Sequence, residues 1–226
     1  MTPVVRTITA IRFIPNDPDR CAIHSDRTVI ARIRMRDADR LGLCKGMPLT
    51  EELDTELKEL AHIEKARRDV LRRCASRLRS QREAVQMFLR KGVDEATAEA
   101  LTKEFARLGI VDDAAAAEAV IHGVLRQGPA GKRLLEQKLR QRGVDRDAAS
   151  HALSVAMEDR DIEADAQALA SKRAAKMPHT LDSAAQVRRI AGFLMRRGFD
   201  SQIAWEAARR SIARGETSDD RSQGMD

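Results

Sequence analysis

Three glycine-centred segments of nearly the same wording recur along the chain. They read Phe88-Leu89-Arg90-Lys91-Gly92-Val93-Asp94, Leu139-Arg140-Gln141-Arg142-Gly143-Val144-Asp145 and Leu194-Met195-Arg196-Arg197-Gly198-Phe199-Asp200, with their glycines 51 and 55 residues apart. Each joins a basic helix end to a glycine suited to a left-handed C-terminal position, then to an aspartate suited to cap the next helix. Such a break repeated at a near-constant period is the signature of a tandem helical array. Arrays of this kind present long surfaces to large partners rather than enclosing a reaction centre.

The flanking positions agree with one another. Four residues before each glycine stand Phe88, Leu139 and Leu194, and eight before stand Ala84, Leu135 and Ile190. One after stand Val93, Val144 and Phe199; five and six after stand Thr97-Ala98, Ala148-Ala149 and Ile203-Ala204. Spacing of i, i+4, i+8 is the buried stripe of an amphipathic helix. These positions are therefore assigned to the core and given no binding role.

The N-terminal region differs. β-branched residues in Val5–Ile14, Arg20–His24 and Thr28–Arg34, between the turn clusters Pro15–Asp19 and Ser25-Asp26-Arg27, predict three short antiparallel strands. A short helix is expected over Asp37–Leu43 before Gly46. Thr50 is a suitable N-cap for a long helix to about Leu78, with Glu51 and Glu52 in its first turn. Ser80-Gln81-Arg82-Glu83 fits a capping box, and the helix it opens ends at Gly92. Asp94 caps the next, to about Leu108. Asp112 or Asp113 starts another, to about Arg126. Gly128-Pro129-Ala130 opens the helix ending at Gly143, and Asp145 caps one to about Glu158. Helices of about 161–175, 183–196 and 201–213 follow, with Pro178 closing the first of them. The fold class expected is mostly α: three tandem three-helix repeats in an elongated curved array, preceded by a small antiparallel β extension. The divisions are 1–50 for the extension, 51–110, 111–159 and 160–214 for the repeats, and 215–226 for a disordered polar tail.

Charge and composition narrow the function. The net charge is +6 and aromatic residues are only 3% of the chain, with one Trp and no Tyr. A basic balance permits a nucleic-acid partner, and the scarcity of aromatics argues against base stacking as the main contact. The three cysteines, Cys21, Cys44 and Cys74, are isolated and fit a reducing compartment rather than a disulfide framework or metal site. No apolar run is long enough for a transmembrane helix, and the N-terminus lacks the apolar stretch of a signal peptide, so a cytoplasmic protein without membrane association is expected. The scattered histidines form no HExxH or triad, and the chain has no GxxxxGK[ST] phosphate loop. Asp112-Asp113 reads as a helix cap and its neighbour. No catalytic residue, cofactor or metal is implied, and an enzyme is not expected.

The candidate contact residues are basic. Residues 62–91 hold ten Lys or Arg against three acids. The dense cluster is Lys65, Arg67, Arg68, Arg72, Arg73, Arg77, Arg79 and Arg82, with Arg68, Arg72 and Arg79 close to one face of the long helix. Lys132, Arg133, Arg188, Arg189, Arg196 and Arg197 are further candidates. Some recur in register: Arg82, Arg133 and Arg188 ten before each glycine, and Lys91, Arg142 and Arg197 one before. The second set also has a structural reading, since a cation in a last helical turn complements the helix dipole. The cluster is read as a contact for DNA phosphate or for an acidic protein surface, with little sequence specificity.

The breaks around Gly92, Gly143 and Gly198, in order, together with the Ser80–Lys91 helix and Leu108-Gly109-Ile110-Val111-Asp112-Asp113, resemble the RecX family of bacterial regulators of the RecA recombinase. The resemblance covers roughly 60–214, and the strands of Ile8–Met35 with Gly42–Gly46 resemble an extension of longer members. Ala114–Ala117 and Asp159-Arg160-Asp161 depart from the family pattern in being smaller or more polar. The resemblance implies a small helical protein that lies along the RecA–DNA filament and lowers recombinase and ATPase activity in DNA repair and the SOS response, without being an enzyme. A monomer is expected, with the RecA filament as partner and phosphate contacts to single- or double-stranded DNA. The alternative is a sequence-dependent DNA-binding regulator that uses one three-helix unit, turned at Gly92-Val93-Asp94, as a helix-turn-helix. Threefold repetition weighs against it, because such regulators generally carry one reading head.

Overall fold

The computed structural model describes residues 6–15, 17–178 and 181–222, with side chains as far as Ala213. The chain divides into two compact units: the residues through Arg77 with Ala84–Phe105, and Leu78–Glu83 with the residues from Ala106 onward.

In the first unit, β1 (Ala10–Ile14), β2 (Asp17–Ser25) and β3 (Thr28–Arg34) form an antiparallel sheet in the order β1-β2-β3. Asp26 and Arg27, both at positive φ (48° and 64°), make the two-residue connection between β2 and β3. That is the backbone of a type I′ hairpin, whose twist matches the strands it joins. β2 starts earlier than the turn cluster suggested. Pro18 is tolerated because it falls in the irregular stretch between the Ile14–Asp17 and Phe13–Cys21 pairs, where no ladder hydrogen bond is asked of it.

Three strands alone are marginal, and these bury their inner face. Ile8, Cys21, Ile23, Ala31 and Ile33 pack with Ala38 of α1 (Met35–Arg40) and Leu57 of α2 (Glu51–Ala75). Thr50 caps α2 by accepting from the Leu53 amide at 3.2 Å. The helix stops at Ala75 rather than near Leu78. α3 (Gln81–Leu89) and α4 (Glu95–Arg107) carry Phe88 and Phe105, both fully buried, with ring centroids 5.6 Å apart.

The second unit holds two of the three-helix sets. α5 (Asp113–Leu125), α6 (Lys132–Arg142) and α7 (Arg146–Glu158) enclose Ala117, Ile121, Leu135, Leu139 and Leu153. α8 (Ile162–Ala174), α9 (Ser183–Arg196) and α10 (Ser201–Ser222) enclose Ala166, Ala170, Ile190, Leu194, Phe199 and Ala208, with Trp205 packed against them. Every in-register apolar position named from the sequence is buried or half-buried. α10 runs beyond the expected end at 213 and into the segment read as a disordered tail. No proline interrupts it, and Gly215 costs a helix only about 1 kcal/mol. Residues 223–226 of that tail lie outside the described residues.

The predicted caps form. Ser80 and Glu83 close their box reciprocally, with Glu83 N donating to Ser80 Oγ at 3.1 Å and Ser80 N to Glu83 Oε2 at 3.3 Å. Asp94, Asp112 and Asp145 each accept from the first turn of the helix they precede. Asp113, beside one of these caps, does something the sequence did not announce. Its buried carboxylate accepts from Gln81 Nε2 at 2.8 Å and from the Asp145 amide at 3.3 Å, so one side chain ties together the starts of α3 and α7.

The glycine breaks also join one helix set to another. Gly131 donates to the Arg197 carbonyl at 2.9 Å and Arg133 N to the Gly198 carbonyl at 3.2 Å. The start of α6 is thus capped onto the end of α9. The approach is so close that a Cβ on Gly131 would lie 2.2 Å from the Gly198 oxygen. The previous break shows a looser form: Ser80 Oγ donates to the Arg142 carbonyl at 2.8 Å, and the stem of Arg82 lies over Gly143.

Candidate functional site

The structure separates basic residues engaged with other groups of the protein from exposed ones that lack an acidic partner. α2 turns about 100° per residue. Lys65, Arg68 and Arg72 therefore fall within about 60° of one another, while Arg67 points away from them, inward. Arg67 reaches Glu104 at 3.2 Å and Glu64 at 3.8 Å, and its guanidinium lies 5.8 Å from the Phe105 ring centre. It belongs to a chain of charges tying the sheet to the helices of the first unit. Arg20 Nε lies 2.9 Å from Glu64 Oε1, and Arg34 lies 2.8 Å from Glu104. The Arg20–Glu64 contact is poorly aligned for a hydrogen bond, so its attraction is chiefly Coulombic. Burial pushes the Glu64 carboxyl up, against the pull of Arg67, Arg20 and Arg34. Burial also acts to raise Glu104, but the hydrogen bond from Arg34 and the charges of Arg34, Arg67 and Arg36 together hold it below its ordinary range.

Other candidates are also engaged. Arg79 lies beyond the end of α2, off the face on which the sequence placed it, and pairs with Glu83 at 3.4 Å. Arg82 covers Gly143. Arg133 pairs with Asp200 at 2.7 Å, and Lys132 with Glu136 at 3.8 Å. Arg197 is a clamp: its guanidinium donates to the Gly128 carbonyl at 2.7 Å and to the Pro129 carbonyl at 2.6 Å. Its recurrence in register reflects the packing of the helix sets.

Arg82, Lys132 and Arg133 are exposed even so, and the group without an acidic partner is smaller. Lys65, Arg68 and Arg73 are exposed and have no acidic partner among the described residues, as do Arg188, Arg189 and Arg196 on α9. Arg77 is exposed beyond the end of α2. Arg72 pairs with Asp69, whose carboxyl is held below its usual range by hydrogen bonds from Lys91 and Arg72. From Lys65 onward the exposed face of α2 is thus cationic, and Asp69, the one acid of that stretch turned toward it, is neutralised by its neighbours. It can hold anions electrostatically. No helix among the described residues is long and apolar enough to cross a membrane.

A chain of three-helix sets joined at glycine breaks, with a basic stretch on one helix, is a helical-repeat protein. Two family models match it: the second three-helix domain of RecX over residues 112–153 and the third over 161–208. Among similar proteins, the regulatory protein RecX of Thermobifida fusca (strain YX) is 33% identical over 151 residues, covering 66% of this chain and 79% of that one. RecX of Amycolatopsis mediterranei (strain U-32) is 32% identical over 139 residues, covering 61% and 78%. The chain belongs to the RecX family. Solved structures share its fold. A regulatory protein RecX matches with a TM-score of 0.70 at 19% identity, over 91% of this chain and all of that one. RecX from Lactobacillus salivarius matches with a TM-score of 0.57 at 19% identity, over 66% and 96%.

Proposed function

We propose that this protein is a cytoplasmic, non-enzymatic regulator that binds the RecA–DNA filament as a monomer and lowers its recombinase and ATPase activity in DNA repair and the SOS response. Membership of the RecX family carries the reading. The cationic C-terminal half of α2 supports it, because a filament offers both DNA phosphates and acidic protein surface. In this reading 51–110, 111–159 and 160–214 act as successive contact modules. Lys65, Arg68, Arg72 and Arg73 supply the principal affinity, and Arg77, Arg188, Arg189 and Arg196 add to it. Binding along the filament would block its growth or hinder the subunit motions that accompany ATP hydrolysis. The test is RecA ATPase on single-stranded DNA with substoichiometric additions of this protein. Inhibition is expected, and an unchanged rate with no filament binding refutes the reading.

A further inference from the structure

The β extension does more than cover α2. A cavity of about 380 Å³ opens between β3 and α2, lined by Arg20, Arg32, Lys65, Arg68, Asp69 and Arg72 over an aliphatic floor. The charges in it are not balanced. Arg20 is buried against Glu64, and Asp69 is held by Lys91 and Arg72, which leaves Arg32, Lys65 and Arg68 without an acidic partner among the described residues. Arg32 comes from the sheet and the other two from the helix, so cations stand on both walls.

We infer that this groove binds the sugar–phosphate backbone of one strand of single-stranded nucleic acid, with Arg32 of the β extension as a specific contributor. Three observations favour that occupant. Lys65, Arg68 and Arg72 extend along the helix for about 10 Å at 1.5 Å per residue. That is roughly three phosphate-to-phosphate intervals of one stacked strand at 3.4 Å each. The floor of Val29, Ile30, Ala31 and Ala61 carries no aromatic ring, so bases have nothing to stack on and the backbone is the part recognised. The groove lies between β3 and α2 with cations on both walls, so a single strand laid in it would be met from two sides. The inference deepens the filament reading by giving the extension a role at the same basic face, but it needs no RecA for its test.

The experiment is fluorescence anisotropy of a labelled oligothymidylate with the full-length protein across a salt series. Wild type is expected to bind it more tightly than a duplex of equal length. Arg32→Gln should weaken binding about fivefold and reduce the slope of log affinity against log salt by about 0.7, the value for one phosphate contact on a single strand. Arg32→Gln/Lys65→Gln/Arg68→Gln should reduce the slope by about 2. Lys172→Gln, an exposed change on α8, should do neither. If the triple variant loses its helical circular dichroism, the single exposed change at Arg32 decides. An Arg32→Gln protein with wild-type affinity and slope overturns the inference, as does tighter binding of the duplex. Oligothymidylate binding without any effect on RecA would leave the groove standing and refute the filament reading; the converse result would do the opposite.

Discussion

Adding one methyl group at Gly131 should destabilise the second unit, whereas the same change at Gly123 should stabilise it. At Gly131 the new Cβ would lie 2.2 Å from the Gly198 oxygen, 2.3 Å from its carbonyl carbon and 2.4 Å from the Phe199 nitrogen. All three are backbone atoms, so no side chain can swing aside. The start of α6 and the end of α9 must separate by about 1 Å to restore ordinary contact, and overpacking of this kind costs about 1–3 kcal/mol. That separation also strains the hydrogen bonds from Gly131 to Arg197 and from Arg133 to Gly198, each worth about 1 kcal/mol net. The expected loss for Gly131→Ala is about 2–4 kcal/mol. At Gly123, inside α5, nothing lies within 4 Å of an added Cβ. Alanine there should gain about 0.5–1 kcal/mol from the reduced freedom of the unfolded chain. The lone tryptophan, Trp205, packs on the α8–α10 core and reports on this unit. Urea unfolding followed by its fluorescence should therefore move in opposite directions for the two variants. A Gly131→Ala midpoint indistinguishable from wild type would refute the close packing of α6 on the Gly198 break.

Further outcomes follow from the charge network and the turns. Arg197→Ala removes the clamp on the Gly128 and Pro129 carbonyls and should cost about 1.5–3 kcal/mol in the same assay, whereas exposed Arg188→Ala should change stability by less than about 0.5 kcal/mol. Arg27 sits at φ 64°, where a left-handed residue other than glycine is strained, so Arg27→Gly should raise the thermal midpoint modestly, through a gain of about 0.5–1 kcal/mol. Glu104 has a depressed folded pKa, so its contribution is complete above its unfolded value and is lost as pH falls through the folded one. Stability measured from pH 7 down to pH 3 should accordingly decline less steeply in Glu104→Gln than in wild type, from a lower starting value. Glu64, raised by burial, acts in the opposite direction: its contribution is present at low pH and lost as pH rises through its folded pKa.

Much of the architecture was legible because it rests on local chemistry. Capping residues, left-handed glycines and i, i+4 apolar stripes are decided within a turn or two of chain. The helix ends at Gly92, Gly143 and Gly198, the Ser80 box and the Asp94, Asp112 and Asp145 caps all read directly. The basic site was legible as a cluster but not as a surface, because burial depends on distant partners. Arg67 and Arg68 are neighbours in sequence, yet one faces Glu104 and Phe105 while the other faces solvent. A helical-wheel reading referred to the buried stripe of Leu57, Ala66, Val70 and Cys74 would have separated them. No local signal shows that Arg197 reaches back to Pro129, nor that Asp113 holds the starts of two helices. The in-register recurrence of Arg142 and Arg197 was a sign of repeated packing, and a cation near a helix C-terminus was its plainer explanation. Arg32 was passed over because a lone arginine on a strand carries no pattern of its own, and only the fold places it across a groove from Lys65 and Arg68.

The central claim is that a RecX-family chain acts on the RecA filament through the basic C-terminal half of α2 and the residues just after it. The most direct measurement is the rate of RecA ATP hydrolysis on single-stranded DNA, with wild type and with Arg68→Ala/Arg72→Ala/Arg73→Ala/Arg77→Ala added below stoichiometry. All four side chains are exposed, so the variant should keep its fold. Inhibition by wild type and its loss in the variant is the expected result. Equal inhibition by both would move the contact off α2, and no inhibition by wild type would contradict the claim itself.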